Sequence, residues 1–303
     1  MSFEYKYLKY KKKYLELKRI GESIDLPLAS VPVAPIAASQ DIKLISWNIY
    51  GDIFISKSNP DINKQKRVLV YIKNKMPDIL FIQESRVPLF KFDPTLTNYQ
   101  HIAGCSGSIN YNNTKFTQLG PPHILYFDHN FKSGNYNSSF YRTMMGIRLK
   151  NINNGETFVF INFWAPHGIK DNKNIQKFII EILKNLKYET EDRIIFAGDF
   201  NEYYNSSDFS RPISINYRGT KNLYLEQLNN SCCGPKEKLK TTGNNHNYLE
   251  HRDLIDSASK PVDLVFDSAN NTTTTVNTME TASDHYAIEA IIRPIVVAPA
   301  LFI

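Results

Sequence analysis

Residues 193–201 read RIIFAGDFN, a pattern that recurs in other parts of the chain. Four apolar residues end abruptly in Gly-Asp-Phe-Asn, which predicts a buried strand that stops at the edge of a sheet. Alternation along a strand end places Asp199 and Asn201 on one side and turns Phe200 away. A carboxylate can hold a cation or accept a proton, and an amide can donate to a phosphate oxygen without repelling it. The alternative is that both residues simply form the turn after the strand.

Two earlier apolar segments end in the same way. Residues 42–47 lead into Asn48, and residues 79–83 lead into Glu84. A glutamate at the end of an apolar strand has to be solvated, paired or bound to a metal, because burial of an unpaired charge is costly. Both segments therefore predict buried strands that present polar groups at a sheet edge.

The C-terminal part of the chain repeats the pattern twice. Residues 261–266 predict a strand with Asp263 embedded in it. Asp284 and His285 open the predicted final strand, 286–292, although such a pair can also merely cap a turn.

A predicted hairpin leads to a further candidate. Residues 144–149 and 157–163 are joined by Asn-Asn-Gly at 153–155, a strong turn signal. His167 follows the second strand beside Pro166, where it is either available to a cleft or an exposed loop histidine.

Helices and turns are predicted between these strands. Apolar periodicity predicts helices over residues 61–75 and 172–187, and a further helix over 223–228. The Asn- and Ser-rich runs 110–113 and 135–139 predict exposed turns.

Length and composition limit the class of protein. With 303 residues, 42% of them hydrophobic, the chain is globular and suits a single large α/β or two-sheet domain. It contains no run of about 18 apolar residues, so no membrane span is predicted. Cys105, Cys232 and Cys233 lack the spacing of a zinc site and favour a reducing compartment, so we expect an intracellular protein that is not secreted.

The positive net charge is concentrated in an N-terminal leader. Residues 1–20 carry seven of the 36 Lys and Arg and two of the 30 acidic residues, which leaves 29 basic and 28 acidic residues elsewhere. Aromatic residues and a leucine recur at spacings of four and three over residues 3–17, so the leader is predicted to be a basic amphipathic helix. Residues 21–40 are rich in Pro and Ala and predict a semi-rigid linker.

Such a leader suits the groove of a protein partner, a coiled-coil partner or an anionic surface, or else docks on the rest of its own chain. It also resembles the Tyr/Lys/Leu-rich N-terminal segments of many proteins of giant, mimivirus-like DNA viruses. That resemblance implies a viral origin and a location in the host cytoplasm or the virion.

The strand-end motifs together resemble a known family. They are similar to the ordered signature motifs of the endonuclease/exonuclease/phosphatase superfamily, which includes apurinic endonucleases, DNase I, deadenylases, sphingomyelinases, inositol-polyphosphate 5-phosphatases and tyrosyl-DNA phosphodiesterases. The motifs are Trp47-Asn48, Gln83-Glu84, Gly198-Asp199-Phe200-Asn201, Val262-Asp263-Leu264 and Ser283-Asp284-His285.

The resemblance covers residues 41–293 and leaves a tail, 294–303. It implies a DNase I-like α/β fold: a four-layer sandwich of two mainly antiparallel β-sheets flanked by helices, with the active site at one end of the sheets.

The resemblance also implies a metal cofactor, Mg²⁺, with Mn²⁺ as a substitute. Glu84 is the expected principal ligand, with Asn48 nearby on the metal or a phosphate oxygen and Asp284 organising the metal end. Hard cations of this kind prefer carboxylate oxygens and retain waters.

The remaining motif residues have expected roles in hydrolysis. Asp199 would orient and deprotonate the attacking water, and Asn201 would bind the phosphate. His285, polarised by Asp263, would contact the scissile phosphate, where its protonated form stabilises developing negative charge.

One motif departs from the family pattern. Many members carry His or Tyr two residues before the position of Pro166, whereas this chain has Trp164, which cannot act as an acid. His167 is therefore the expected phosphate contact or leaving-group acid.

The function that follows is hydrolysis of phosphate esters, with a nucleic-acid phosphodiesterase as the first hypothesis. The leader would add affinity for a polyanion, while the nearly neutral remainder argues against strong duplex binding. One alternative is a phosphatase or phosphodiesterase acting on inositol phosphates, phosphoinositides or sphingomyelin. The other is a non-catalytic virion or binding protein that retains the fold.

Overall fold

The computed structural model describes residues 41–49, 62–84, 93–104, 107–127, 142–166, 172–200, 212–225, 263–277 and 287–295. The strands are β1 (Ile42–Asn48), β2 (Ile79–Gln83), β3 (Tyr99–Ala103), β4 (Gly107–Asn112), β5 (Phe116–Gln118), β6 (His123–Phe127), β7 (Arg142–Asn151), β8 (Thr157–Trp164), β9 (Arg193–Asp199), β10 (Ile213–Asn216), β11 (Thr220–Leu225), β12 (Asp263–Asp267), β13 (Thr272–Asn277) and β14 (Ala287–Ile292). The helices are α1 (Ile62–Lys75) and α2 (Asn172–Asn185).

These strands form two sheets. The first has the order β13-β14-β1-β2-β4-β3, and the second has the order β10-β11-β12-β9-β8-β7-β5, with β6 also paired to β7. Strands β1 and β2 are parallel, as are β8 and β9, and the other described pairs are antiparallel. Each parallel pair is connected through a helix, because parallel neighbours need a long crossover. The expectation of two mainly antiparallel sheets is confirmed.

Three apolar layers hold the two sheets and two helices together. On one outer side, Val68 and Ile72 of α1 pack with Trp47 of β1. Between the sheets, Phe81 and Phe160 make an edge-to-face contact with ring centroids 6.4 Å apart. On the other outer side, α2 packs on the second sheet through a set of apolar side chains that includes Ile175, Ile179, Ile182 and Leu183. The order helix, sheet, sheet, helix is the expected four-layer sandwich.

The apolar run 194–197 of strand β9 is buried on both faces of the second sheet. Ile194 and Phe196 point into the layer under α2, whereas Ile195 and Ala197 point into the layer between the sheets. Every residue of the strand is buried, because both faces of this central strand are covered.

A buried ion pair fixes the start of this strand. Arg193 donates from Nε and Nη2 to the two carboxylate oxygens of Asp267, the last residue of β12, at 2.9 and 2.5 Å. Burial alone would raise the pKa of Asp267, but the hydrogen bonds and charge of Arg193 lower it below its ordinary value. The pair is therefore fully charged and bidentate, the geometry in which Arg and a carboxylate bind best.

Two sequence-based expectations were wrong. Residues 220–225 form β11 rather than part of a helix over 223–228. In β10, buried Ile213 and Ile215 alternate with polar residues, and β11 pairs with this strand so that its buried Leu223 lies opposite Ile213. Residues 110–113 are not simply an exposed turn, because Asn110 is buried in β4. Its amide donates to the Leu80 carbonyl at 3.4 Å and to Ser108 Oγ at 3.2 Å, which compensates the burial.

Other expectations are confirmed or fall outside the described residues. The helices over 61–75 and 172–187 and the hairpin joined at 153–155 are present. The leader 1–20, the linker 21–40, the turn 135–139 and most of the tail 294–303 lie outside the described residues. In the part of the chain that is described, no helix is long and apolar enough to cross a membrane.

Gly198 sets how closely β9 approaches β8 next to the end of the strand. Its φ is +149°, and a Cβ built there would lie 1.8 Å from the carbonyl oxygen of Phe163, its neighbour in the parallel ladder. Backbone cannot move aside as a flexible side chain can. A glycine is therefore required immediately before Asp199.

We predict that Gly198→Ala lowers the free energy of unfolding by roughly 2 to 5 kcal/mol. The loss has two causes, the strained backbone conformation of a non-glycine residue and the clash of the new Cβ with the neighbouring strand. Gly120→Ala is the matched control, because Gly120 has φ +96° with nothing within 4 Å of a built Cβ, so it should lose roughly 1 to 2 kcal/mol from strain alone. Urea unfolding of both variants measures the difference, and equal losses would contradict the steric explanation.

Candidate active site

The strand directions bring polar residues to one end of the two sheets. Strands β1 and β2 run parallel, so Asn48 lies opposite Gln83 and next to the segment that begins with Glu84. Strand β12 runs antiparallel to β9, so its first residue, Asp263, lies opposite Asp199, the last residue of β9. Four of the predicted site residues are thus placed at one edge by topology.

The amide of Asn48 joins the two sheets at this edge. Asn48 Nδ2 donates to Glu84 Oε1 at 3.0 Å and to Asp199 Oδ2 at 2.7 Å. Asn48 and Asp199 are 1% and 0% exposed, and Glu84 is half-buried. Because Asn48 belongs to the first sheet and Asp199 to the second, the amide holds two carboxylates from different sheets close together.

The environment of Asp199 agrees with the predicted alternation. Phe200 is buried in the layer under α2 and makes edge-to-face contacts with Phe163 and Phe196, with centroids 5.2 Å apart in each case. The carbonyl of Asp199 accepts from the amide of Ala165 at 2.8 Å. The aromatic anchor and the backbone bond fix the direction in which the Asp199 carboxylate projects.

Glu84 adopts an uncommon backbone conformation. Its φ is +60°, in the left-handed region, which costs a non-glycine residue roughly 1 kcal/mol. The chain is held there by the carbonyl of Gln83, which accepts from the Ile49 amide at 3.3 Å, and by the Asn48 bond. Strain of this kind persists where neighbouring contacts over-determine it, and it is concentrated at functional sites.

Sequence reasoning missed Arg142, the first residue of β7. Its Nη1 lies 3.9 Å from Glu84 Oε1, and its guanidinium stacks 3.5 Å from the ring centroid of Trp164. Burial lowers the pKa of Arg142, while the negative charges of Asp199 and Glu84 oppose that shift. An arginine remains charged under these conditions, so the site contains a fixed cation beside the carboxylates.

The signal for Arg142 was present in the hairpin. Thr143 pairs with Trp164 across β7 and β8, and Trp164 pairs with Asp199 across β8 and β9. Extending the predicted hairpin by its own register would have placed Arg142 next to the tryptophan that replaces the usual His or Tyr.

The other predicted residues are not described. Asn201, His167, Asp284 and His285 lie outside the described residues, so their roles stay predictions.

The described side chains at this edge could coordinate a divalent cation only as part of a site with few protein ligands. No group of three or more His, Cys, Asp or Glu side chains within the described ranges is arranged to hold a metal. Mg²⁺ and Mn²⁺ nevertheless use few protein ligands, because they keep several waters and share phosphate oxygens with substrate. The half-buried carboxylate of Glu84, oriented by Asn48, fits that type of site.

A family comparison agrees with this geometry. Residues 45–285 match the model of the endonuclease/exonuclease/phosphatase family. The chain belongs to this family. Its members are phosphodiesterases, nucleases or phosphatases, which hydrolyse phosphate esters. No curated protein matches the chain in a sequence search.

Solved structures show the same endonuclease/exonuclease/phosphatase fold. A family protein from Bacteroides thetaiotaomicron has TM-score 0.58 and 16% identity, covering 85% of this chain and 99% of that one. The mannosyl-6-phosphatase Bt3783 of the same organism has TM-score 0.56 and 17% identity, covering 82% and 98%. TDP2 from D. rerio, in complex with a single-strand DNA product, has TM-score 0.50 and 16% identity, covering 83% and 98%.

We predict that Asn48→Ala lowers the free energy of unfolding by about 2 to 4 kcal/mol, because two carboxylates lose the amide that donates to both of them. In the presence of EDTA, Asn48→Asp should lower the free energy of unfolding more at pH 8 than at pH 5. Like charges raise the pKa of a carboxylate, so the new cluster is protonated at low pH and loses stability as the pH rises.

Urea unfolding at both pH values measures this dependence. Asn98→Asp makes the same chemical change in an exposed turn and serves as the control. An Asn48→Asp variant whose loss is the same at pH 5 and pH 8 would contradict a close contact between the carboxylates.

Proposed function

We propose that this protein is a Mg²⁺-dependent phosphodiesterase that cleaves nucleic acid, and that Mn²⁺ can replace Mg²⁺. The observation that supports the proposal is the pair of carboxylates, Glu84 and Asp199, held by one amide of Asn48 with the guanidinium of Arg142 beside them. Hydrolysis of a phosphate ester needs a cation site, a base for water and positive charge toward the phosphate, and these groups can provide each.

Glu84 is the proposed cation ligand and Asp199 the proposed base. A bound divalent cation supplies positive charge against the phosphate oxygens. Asp199, whose Oδ2 is oriented by Asn48, accepts the proton of the attacking water. Asn201 binds the phosphate, His285 contacts the scissile phosphate with Asp263 behind it, and Asp284 lies at the metal end, as the family resemblance implies.

Arg142 is proposed to bind the substrate phosphate. Stacking on Trp164 fixes the plane of the guanidinium, and the N–H fork in that plane matches the oxygens of a phosphate. Because Trp164 cannot donate a proton to the leaving group, the proposed acid His167 donates it, and the positive charge of Arg142 stabilises the negative charge that develops on the phosphate.

Nucleic acid is the proposed substrate class for two reasons. The basic, aromatic leader suits a polyanion, and D. rerio TDP2, which shares the fold, was solved with a single-strand DNA product. An intracellular site of action, in host cytoplasm or virion if the chain is viral, belongs to the same proposal. Inositol phosphates, phosphoinositides and sphingomyelin are the competing substrates, and a non-catalytic binding role is the competing function.

We predict that Glu84→Gln and Asp199→Asn each lower the rate of hydrolysis about 10²- to 10⁴-fold, because one loses the cation charge partner and the other the base. The assay compares abasic DNA, plasmid, RNA and phosphoinositides with Mg²⁺, with Mn²⁺ and with EDTA. Asp93→Asn is the matched control, since Asp93 caps a short turn beside Lys73 and has no contact with the site among the described residues.

Activity that survives both substitutions, or that is unaffected by EDTA, would overturn the mechanism. Hydrolysis of phosphoinositides without nucleic acid cleavage would overturn the proposed substrate, and an inactive wild-type protein would favour the binding role.

We predict opposite effects of Arg142→Gln on substrate and cation. Loss of a charged donor should raise the KM for substrate and the inhibition constant of inorganic phosphate about tenfold or more. Loss of its repulsion should lower the Mg²⁺ concentration needed for half-maximal activity.

Arg148→Gln is the control on the same strand, because Arg148 is paired with Asp192 and Glu189 instead. It should change none of these three quantities. If Arg142→Gln weakened phosphate and Mg²⁺ together, Arg142 would be a structural residue rather than a phosphate ligand.

A further inference from the structure

Asn162 carries a buried polar link between the two sheets, close to Glu84. It belongs to β8 of the second sheet, and its Nδ2 donates across the interface to the carbonyls of Ile82 at 3.1 Å and Ser108 at 2.9 Å. Its Oδ1 accepts from Gln83 Nε2 at 2.7 Å. The amide is 2% exposed and both of its polar atoms are engaged, so the link is fully satisfied.

The partners of Asn162 are the residues that lead into Glu84. Ile82 and Gln83 are the last two residues of β2, and Glu84 follows them with φ +60°. Gln83 Nε2 also lies 3.2 Å from Ser46 Oγ on the neighbouring strand. A side chain from the second sheet therefore holds the backbone and the side chain on which the unusual conformation of Glu84 depends.

A glycine on the first sheet leaves space for the Asn162 amide at the interface between the sheets. A Cβ built on Gly107, the first residue of β4, would lie 3.1 Å from the Ile82 carbonyl oxygen and 3.7 Å from Asn162 Nδ2. Gly107 pairs with Gln83 in the sheet. The missing side chain thus leaves room beside the same two residues that Asn162 holds.

We infer that Asn162 is a positioning residue for the cation ligand Glu84, acting through Ile82 and Gln83. The inference rests on the proposed function, since it assigns Glu84 the cation. Partners behind a metal ligand orient it, and their loss typically weakens metal binding about 10- to 100-fold.

Asn110 offers a matched control in the same sheet. It is also 2% exposed, and it also donates to a β2 carbonyl, that of Leu80, and to Ser108 Oγ. Leu80 lies four positions before Glu84. Asn110 reaches Ser108 at its hydroxyl, whereas Asn162 holds the Ser108 carbonyl, so loss of the Asn110 amide removes a comparable buried contact and leaves the bonds of Asn162 to Ile82 and Gln83 in place.

The experiment titrates Mn²⁺ into metal-free, full-length protein by calorimetry and measures thermal unfolding in EDTA. Asn162→Ala should weaken Mn²⁺ binding about tenfold or more, while Asn110→Ala should leave it within about twofold, although both lower Tm. Gln83→Met, which removes the bond to Asn162 and keeps the side-chain length, should weaken Mn²⁺ binding in the same direction and provides the test if Asn162→Ala does not fold.

Two results would overturn the role of Asn162 and leave the proposed cation site intact. One is an unchanged Mn²⁺ affinity in the Asn162 and Gln83 variants, and the other is a loss of Mn²⁺ affinity in Asn110→Ala equal to that in Asn162→Ala. A wild-type protein that binds no Mn²⁺ would overturn the proposed cation site together with this inference.

Discussion

The arrangement at the sheet edge depends on one neutral amide that binds two carboxylates. A lysine or arginine in place of Asn48 would also hold Glu84 and Asp199, but it would cancel part of their charge. The amide donates both of its hydrogens and adds no charge, so the negative potential that attracts a cation is retained. Because its partners come from different sheets, the packing between the sheets sets the distance between the two carboxylates.

Much of this edge was predictable from sequence, since it follows from local pattern and from topology. Apolar runs that stop at Asn48, Glu84 and Asp199 predict buried strands with polar ends. The helices between parallel strands then require those ends to meet on one side. The proximity of Asn48 and Glu84 could therefore be predicted from the pattern, whereas the four-layer sandwich, and with it the meeting of Asp199 with these two residues, followed only from the family resemblance.

What the sequence did not predict are polar residues whose burial depends on distant partners. Asn110 lies in an Asn-rich run that locally favours a turn, and only its pairing with β2 and β3 makes it a strand residue. Asn162 and Arg142 are single polar residues in or beside apolar strands, and their meaning comes from the register of the neighbouring strand. Strand β11 was mistaken for a helix because the short segment 223–228 shows its alternation only when it is read together with β10.

The two ends of the β9–β12 ladder differ in how their charge is balanced. At one end Arg193 and Asp267 form a bidentate pair with the Glu156 carboxylate 3.6 Å from Arg193, whereas at the other Asp199 and Asp263 face each other near Glu84, with Arg142 as a counter-charge among the described residues. The ladder is therefore electrically polarised along its length. A dissolved cation that approaches this ladder is attracted mainly to the end at which Asp199 and Asp263 lie.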